Sequence, residues 1–153
     1  MRAVIQRVRA ATVVVKGAIT GAIDRGLLVY VGVEEGDGHG DLQFVAKKVA
    51  GVRIFEDAQG KMNLALDQLE RTADERIGIL AVSQFTLHGD LRKGRRPSYN
   101  RAAPPDEANR LYEKLVEQWR RDAILVETGV FGAHMDVTYT NEGPVTLLLD
   151  SRE

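Results

Sequence analysis

The run IGILAVSQFTL, from Ile77 to Leu87, constrains the fold more than any other stretch of this chain. Its length and apolarity place it as a strand inside a sheet, so the rest of the chain must supply its neighbours and its cover. The first third has segments of the right kind. In AVIQRV, Val4, Gln6 and Val8 fall on one face and Ala3, Ile5 and Arg7 on the other. TVVV, a KG turn, AITGAI, a DRG turn and the apolar LLVYVGV follow. Many short early strands imply a sheet that curls or doubles over.

Two helices are expected to cover one sheet face. Leu42, Val45, Ala46 and Val49 recur at helical spacing after Asp41, a candidate cap. PPDEANRLYEKLVEQWRR is the clearer helix, with Pro104 and Pro105 at its start, acids in its first turn and Arg120 and Arg121 in its last. Ala108, Leu111, Tyr112, Leu115, Val116 and Trp119 form one apolar stripe, read as core contact with no functional role. VRIF, AILVET, HMDVTYT and VTLLLD read as further strands, and LALDQLERTADER as partly helical. Without repeats or linkers, residues 1–153 are expected to form a single α/β domain.

Composition narrows the chemistry. The absence of cysteine excludes disulfides, thiolate zinc sites and cysteine nucleophiles. No apolar span is long enough for a bilayer, and Gln6, Arg7 and Arg9 interrupt what would be a leader's apolar region. A cytoplasmic protein without membrane partners is expected. Net charge is −1, yet LRKGRRPSYNR concentrates Arg92, Lys93, Arg95, Arg96 and Arg101 without an acid, a patch suited to a localised anionic partner. Nucleophile-elbow, phosphate-loop, dinucleotide and zinc-protease signatures are all missing. His39, His88 and His134 show no metal-ligand spacing and read as surface or loop residues, so no metal or cofactor is expected.

Two polar clusters remain. Ser83, Gln84, Phe85 and Thr86 end the best strand, where α/β proteins often place a site. Alternation would send Ser83 and Phe85 to one face and Gln84 and Thr86 to the other. The second cluster is NEGPVT, Asn141 to Thr146, between two strand-like runs. Gly143 and Pro144 there fit a tight hairpin turn. They equally fit a segment that presents backbone atoms, because a peptide bond before proline can be cis and would turn two carbonyl oxygens the same way. Arg7 carries donors that could hold such carbonyls, or is a solvated strand arginine.

SQFTL and NxGPVT, in this order and spacing, resemble the D-aminoacyl-tRNA deacylases of the bacterial and eukaryotic type. The resemblance runs end to end, through MRAVIQRV, GLLVYVGVEEGD, RIFEDAQGKMN, KGRRPS, AAPP and ETGVFGAHMD. It implies a three-layered fold and a cytoplasmic homodimer that hydrolyses the ester between a D-amino acid and the tRNA 3′ end. It puts Ser83, Gln84, Phe85 and Thr86 at the scissile ester, with main-chain N–H groups around Phe85 and Thr86 as oxyanion donors. Thr86 has no base beside it in sequence, so a positioning role suits it better than that of nucleophile, and the tRNA 2′-OH can help activate water. The resemblance further implies that Gly143 and Pro144 of one subunit enter the other's site, with Arg7, Asn141 and Met135 as substrate-binding residues. There they would exclude L-amino acids and admit glycyl-tRNA. Arg92, Lys93, Arg95 and Arg96 would meet phosphates of the acceptor end. His88, His134 and Glu142 depart from the usual pattern. The reading from another class is a non-catalytic nucleic-acid-binding module.

Overall fold

The computed structural model describes residues 1–153. In chain order it contains β1 (Arg2–Val15), β2 (Ala18–Gly32), α1 (His39–Ala50), β3 (Phe55–Glu56), β4 (Met62–Leu64), β5 (Ile77–Ser83), α2 (Pro105–Arg121), β6 (Val126–Thr128) and β7 (Asp136–Asp150). The main sheet has the order β6-β5-β2-β1-β7, and β3 and β4 form a separate ribbon. β5 runs parallel to β2 and to β6, whereas β1 is antiparallel to both β2 and β7. The apolar run is therefore interior, as its composition demands, with all six residues from Ile77 to Val82 buried.

The first third differs from the sequence reading. TVVV continues β1, and Asp24-Arg25-Gly26 lies within β2 instead of turning. Gly26 pairs with Val8 on one side and Gly78 on the other. Hydrogen bonding from two neighbours overrides a local turn preference. The result is one long hairpin around Lys16-Gly17, not four short strands.

Alternation along β5 feeds two cores. Ile79 and Ala81 face the helices, in the cluster that includes Leu42, Val45, Val49, Leu115 and Trp119. Leu80 and Val82 face the opposite way, onto Val8, Ala11, Val13, Ile23 and Leu28, with Val137 and Tyr139 at the margin. β1 contributes to that second core from Val8 onward, past the first of two register shifts against β7, between Gln6 and Val8 and between Arg9 and Thr12. The architecture is thus an α/β domain of two helices over a curled, doubled mixed sheet.

The helices bury the residues their spacing predicts. α1 begins at His39, ahead of Asp41, whose carboxylate accepts from the Gly38 N–H at 2.8 Å and so supports the first turn from inside the helix. Trp119 Nε1 donates to the Ala46 carbonyl at 3.1 Å and pins α2 to α1. Of LALDQLERTADER only Leu66–Gln68 is helical, as a 3₁₀ turn, because its charged remainder has no apolar stripe to bury. No helix is long and apolar enough to cross a membrane.

Candidate active site

The strand in IGILAVSQFTL stops at Ser83, and Phe85–His88 wind into a 3₁₀ turn. Alternation consequently ends there. Ser83, Gln84 and Phe85 all line one cavity of about 590 Å³, while Thr86 lies outside its lining and is exposed. The turn leaves the N–H groups of Phe85 and Thr86 ahead of any carbonyl of their own helix. No other backbone acceptor takes them. Gln84 Nε2 donates to the Thr86 hydroxyl, so that oxygen faces an amide and not a base.

The rest of the lining is mainly apolar. Met135, Phe131, Tyr112 and Tyr99 contribute side chains, and Pro104 and Pro105 place the start of α2 at the wall. Tyr112, assigned only to the core stripe by its spacing, serves both purposes. Its hydroxyl donates to the Ala81 carbonyl at 2.9 Å, and burial pushes its pKa up, so it stays protonated. Glu35 is the one carboxylate of the lining. Neither Glu35 nor Tyr99 stood out in the sequence. Phe131 lies within ETGVFGAHMD, the stretch that already carried Met135.

The basic loop stands beside this cavity. Backbone hydrogen bonds of 2.8 and 2.9 Å between Asp90 and Ser98 pinch its base, and the Tyr99 ring meets Phe85 edge-on at 5.1 Å. Arg92, Lys93, Arg95 and Arg96 are all exposed on the protruding tip. Arg92 is already engaged by Asp90, at 2.6 Å, and its hydrogen bonds hold the Asp90 carboxyl down to about 2.

NEGPVT does not make a hairpin turn. It runs within β7, and the Gly143–Pro144 bond is cis. Gln6 pairs with Thr146 and Val8 with Asn141, so Glu142, Gly143, Pro144 and Val145 bulge opposite the single residue Arg7. The Asn141 side chain spans the bulge, donating to the Arg7 and Val145 carbonyls at 3.1 and 2.9 Å. Its oxygen accepts from Gln6 Nε2 and from the Thr146 hydroxyl. An asparagine amide here replaces ladder bonds that proline cannot make. Arg7 is buried, not solvated. Its Nη1 donates to the Ile54 carbonyl at 2.7 Å and its Nε lies 3.4 Å from Glu142. Within one chain, Gly143 and Pro144 are exposed and contribute nothing to the cavity wall.

His134 is exposed, in keeping with the sequence reading, but His88 is 1% exposed, and its reading as a surface residue is wrong. Being the last residue of the 3₁₀ turn, it points inward, a placement that strand alternation gave no means of foreseeing. Around it lies a charged cluster. Burial alone would raise the Glu34 carboxyl, yet the Arg101 hydrogen bond and the charges of Arg152, Arg101 and His88 together hold it below its ordinary value. For Asp41 and Asp150 burial is likewise outweighed, by bonds from Ser151 and Gly38 and from Arg2 and Arg152 respectively. Depressed carboxyls stabilise the fold above their ordinary values of 4.5 and 3.8 and lose that contribution as the pH falls. His88, also depressed, takes up its proton less readily folded than unfolded, so stability begins to drop below 6.5. Urea midpoints are therefore expected to fall in two stages on acidification, first below 6.5 and again below 4.5. A flat midpoint between pH 7 and 5 would contradict the first stage.

Fold and cavity together define an α/β protein with a mainly apolar cavity, at whose edge two main-chain N–H groups lack backbone partners. The sequence profile of the D-Tyr-tRNA(Tyr) deacylase family matches residues 4–150. The chain is similar to proteins named D-aminoacyl-tRNA deacylase from Anaeromyxobacter dehalogenans (strain 2CP-C), at 55% identity over 99% of this chain and 98% of the relative. It is also similar to one from Thermosipho africanus (strain TCF52B), at 53% identity over 100% and 99%. Among solved structures it resembles the c-Myc DNA Unwinding Element Binding Protein, with a TM-score of 0.86, 37% identity and 98% of each chain covered. A probable eukaryotic D-amino acid tRNA deacylase shares the fold, with a TM-score of 0.73 at 17% identity over 97% of each chain. The chain belongs to the D-Tyr-tRNA(Tyr) deacylase family.

Proposed function

We propose that this chain hydrolyses the ester of D-aminoacyl-tRNA, releasing free D-amino acid and tRNA, as a cytoplasmic enzyme of translational proofreading. The observation that carries the chemistry is the pair of unpartnered N–H groups on Phe85 and Thr86 at the cavity formed by Ser83, Gln84 and Phe85. An ester carbonyl directed at that pair would find its developing oxyanion stabilised by preset dipoles. Water is the attacking group. With no histidine in the lining, the ribose 2′-OH of the terminal adenosine is assigned the task of helping to activate it. Ser83, Gln84 and Thr86 position substrate around the donors.

Selectivity is assigned to the Gly143–Pro144 segment. It is exposed, sits on the edge strand β7 and is absent from its own cavity, which favours insertion into the cavity of a second copy. Leu147 and Leu148, 37% and 83% exposed on the same strand, favour an isologous pairing along that edge. Backbone oxygens delivered this way would exclude an L side chain by obstruction, and glycyl-tRNA, having no side chain, would be cleaved to some extent. Arg7 and Asn141 hold the segment in place, Met135 forms the opposing wall, and the tip bearing Arg92, Lys93, Arg95 and Arg96 meets acceptor-stem phosphates.

The test is deacylation of matched D- and L-tyrosyl-tRNA, beside D-tyrosyl-tRNA ending in 2′-deoxyadenosine. We expect the D-ester cleaved, the L-ester intact and the deoxy substrate slowed by about 100-fold. Equal cleavage of both enantiomers would refute the selectivity reading. One relative, at 37% identity, is named for binding a DNA element, so a non-catalytic nucleic-acid-binding role is the second reading. Salt-sensitive duplex binding with no turnover of any aminoacyl ester would establish it instead.

A further inference from the structure

His88 is the only fully buried residue of the turn that carries the Phe85 and Thr86 amides; Phe85 and Thr86 are exposed and Leu87 is half-buried. Its imidazole lies against the end of β2, where Gly32 leaves it room. A Cβ on Gly32 would stand 3.1 Å from the ring and 2.9 Å from the Gln84 carbonyl oxygen. Neither ring nitrogen makes a hydrogen bond of good geometry, although the Gly32 backbone lies close enough to act as a weak partner. Nδ1 is 4.0 Å from Glu34 Oε2, itself buried and without a hydrogen bond. The other Glu34 oxygen is occupied by Arg101, at the end of the basic loop.

A buried imidazole without a good hydrogen bond, beside a buried carboxylate oxygen that only Arg152 approaches at 3.5 Å, calls for an explanation. Here the pair is one proton short of an ionic contact. Resting on the deacylase reading, we propose that His88 is a positioning residue for the reaction: as a neutral imidazole it anchors the Phe85–His88 turn and so sets where the Phe85 and Thr86 N–H groups point. Protonation would re-seat the ring between Glu34 and the Gly32 backbone, both of which favour imidazolium, and carry the turn with it.

The surroundings favour the neutral form. Burial is the main cause that lowers the imidazole pKa, with Arg2 of β1 and the Met1 amine adding to it, against the opposing influence of the Gly32 backbone and Glu34. Arg101 and Arg152 face the same carboxylate and compete for it, the latter at 3.5 Å from Oε2. His88 does not line the cavity, so its influence on catalysis passes through the turn alone.

The variants His88→Ala and His88→Phe, assayed on D-tyrosyl-tRNA across pH, test this. With the anchor removed, His88→Ala should lose about tenfold or more in kcat with KM within about threefold, since small misplacements of donors cost rate and not affinity. His88→Phe, neutral and of similar bulk, should recover most of the kcat at pH 8 and lack the fall in kcat expected of the parent below 6.5. In Glu34→Gln that fall should move to lower pH, because the charge favouring imidazolium is gone. An acid limb in His88→Phe that superimposes on the parent's, or a His88→Ala defect confined to KM, overturns the proposal. Should His88→Ala fail to fold, the Phe and Gln variants decide it. Amide exchange at Leu87 and Gly89, whose N–H groups close the turn onto Gln84 and Thr86, is read without substrate. Loosening below 6.5 in the parent but not in His88→Phe supports the anchor even if the parent turns over no D-aminoacyl ester. Identical exchange in both removes it.

Discussion

Gly143→Ala is expected to lower deacylation of D-tyrosyl-tRNA by about 100-fold, with thermal stability little changed. Gly143 sits at φ +113°, a region that side-chain-bearing residues rarely adopt. A Cβ there would lie 2.9 Å from the Val145 nitrogen and from Val145 Cγ2, and 3.2 Å from Arg7 Nη2. Backbone on one side and a buried guanidinium on the other leave it nowhere to go, so the bulge must shift bodily. Gly143 and Pro144 are exposed, and of the bulge only Val145 packs against an apolar cluster, so most of the strain falls on the presented segment instead of on the fold. Initial rates on D- and L-tyrosyl-tRNA, with melting curves of the same preparations, make the measurement. Unchanged rates on both enantiomers would show that the segment has no part in selectivity.

Trp119→Ala carries the largest expected loss of stability, about 3–5 kcal/mol. The indole is fully buried between α1 and α2, and its N–H adds a second hydrogen bond to the Ala46 carbonyl, which lies inside α1. Removing it leaves a cavity and breaks that link between the helices. Trp119→Phe keeps most of the volume and loses the hydrogen bond, at about 1 kcal/mol. Urea unfolding of the three proteins separates packing from hydrogen bonding. A Trp119→Ala protein within about 1 kcal/mol of the parent would mean the helices are held by something else.

Function is assigned less evenly across the chain than stability. Arg7 shows the difference. Its place on one face of β1 with Ala3 and Ile5 followed from alternation, but whether that face was solvated at Arg7 depended on the β3 region, whose Ile54 carbonyl it binds. Asn141 was identifiable only through resemblance, because its clamp across the bulge depends on the register of β7 against β1. Tyr99 and Glu35 reach the cavity from loops far apart in sequence. No periodicity records such meetings, since loop conformations are set by their attachments rather than by a repeating pattern.

What the chain alone determined is everything that rests on local periodicity or on chemical type. The buried strand at Ile77, both helices with their apolar faces, the exclusion of thiol chemistry and the two polar clusters all belong there. Periodicity survives folding because each helix or strand must bury one face whatever its partners are. Only the tertiary structure decided that DRG continues a strand, that SQFTL breaks into a turn with two free amides, and that His88 lies inside. Each of these outcomes depends on hydrogen bonds and packing from residues distant in sequence, which outweigh the small local preferences read from a short window.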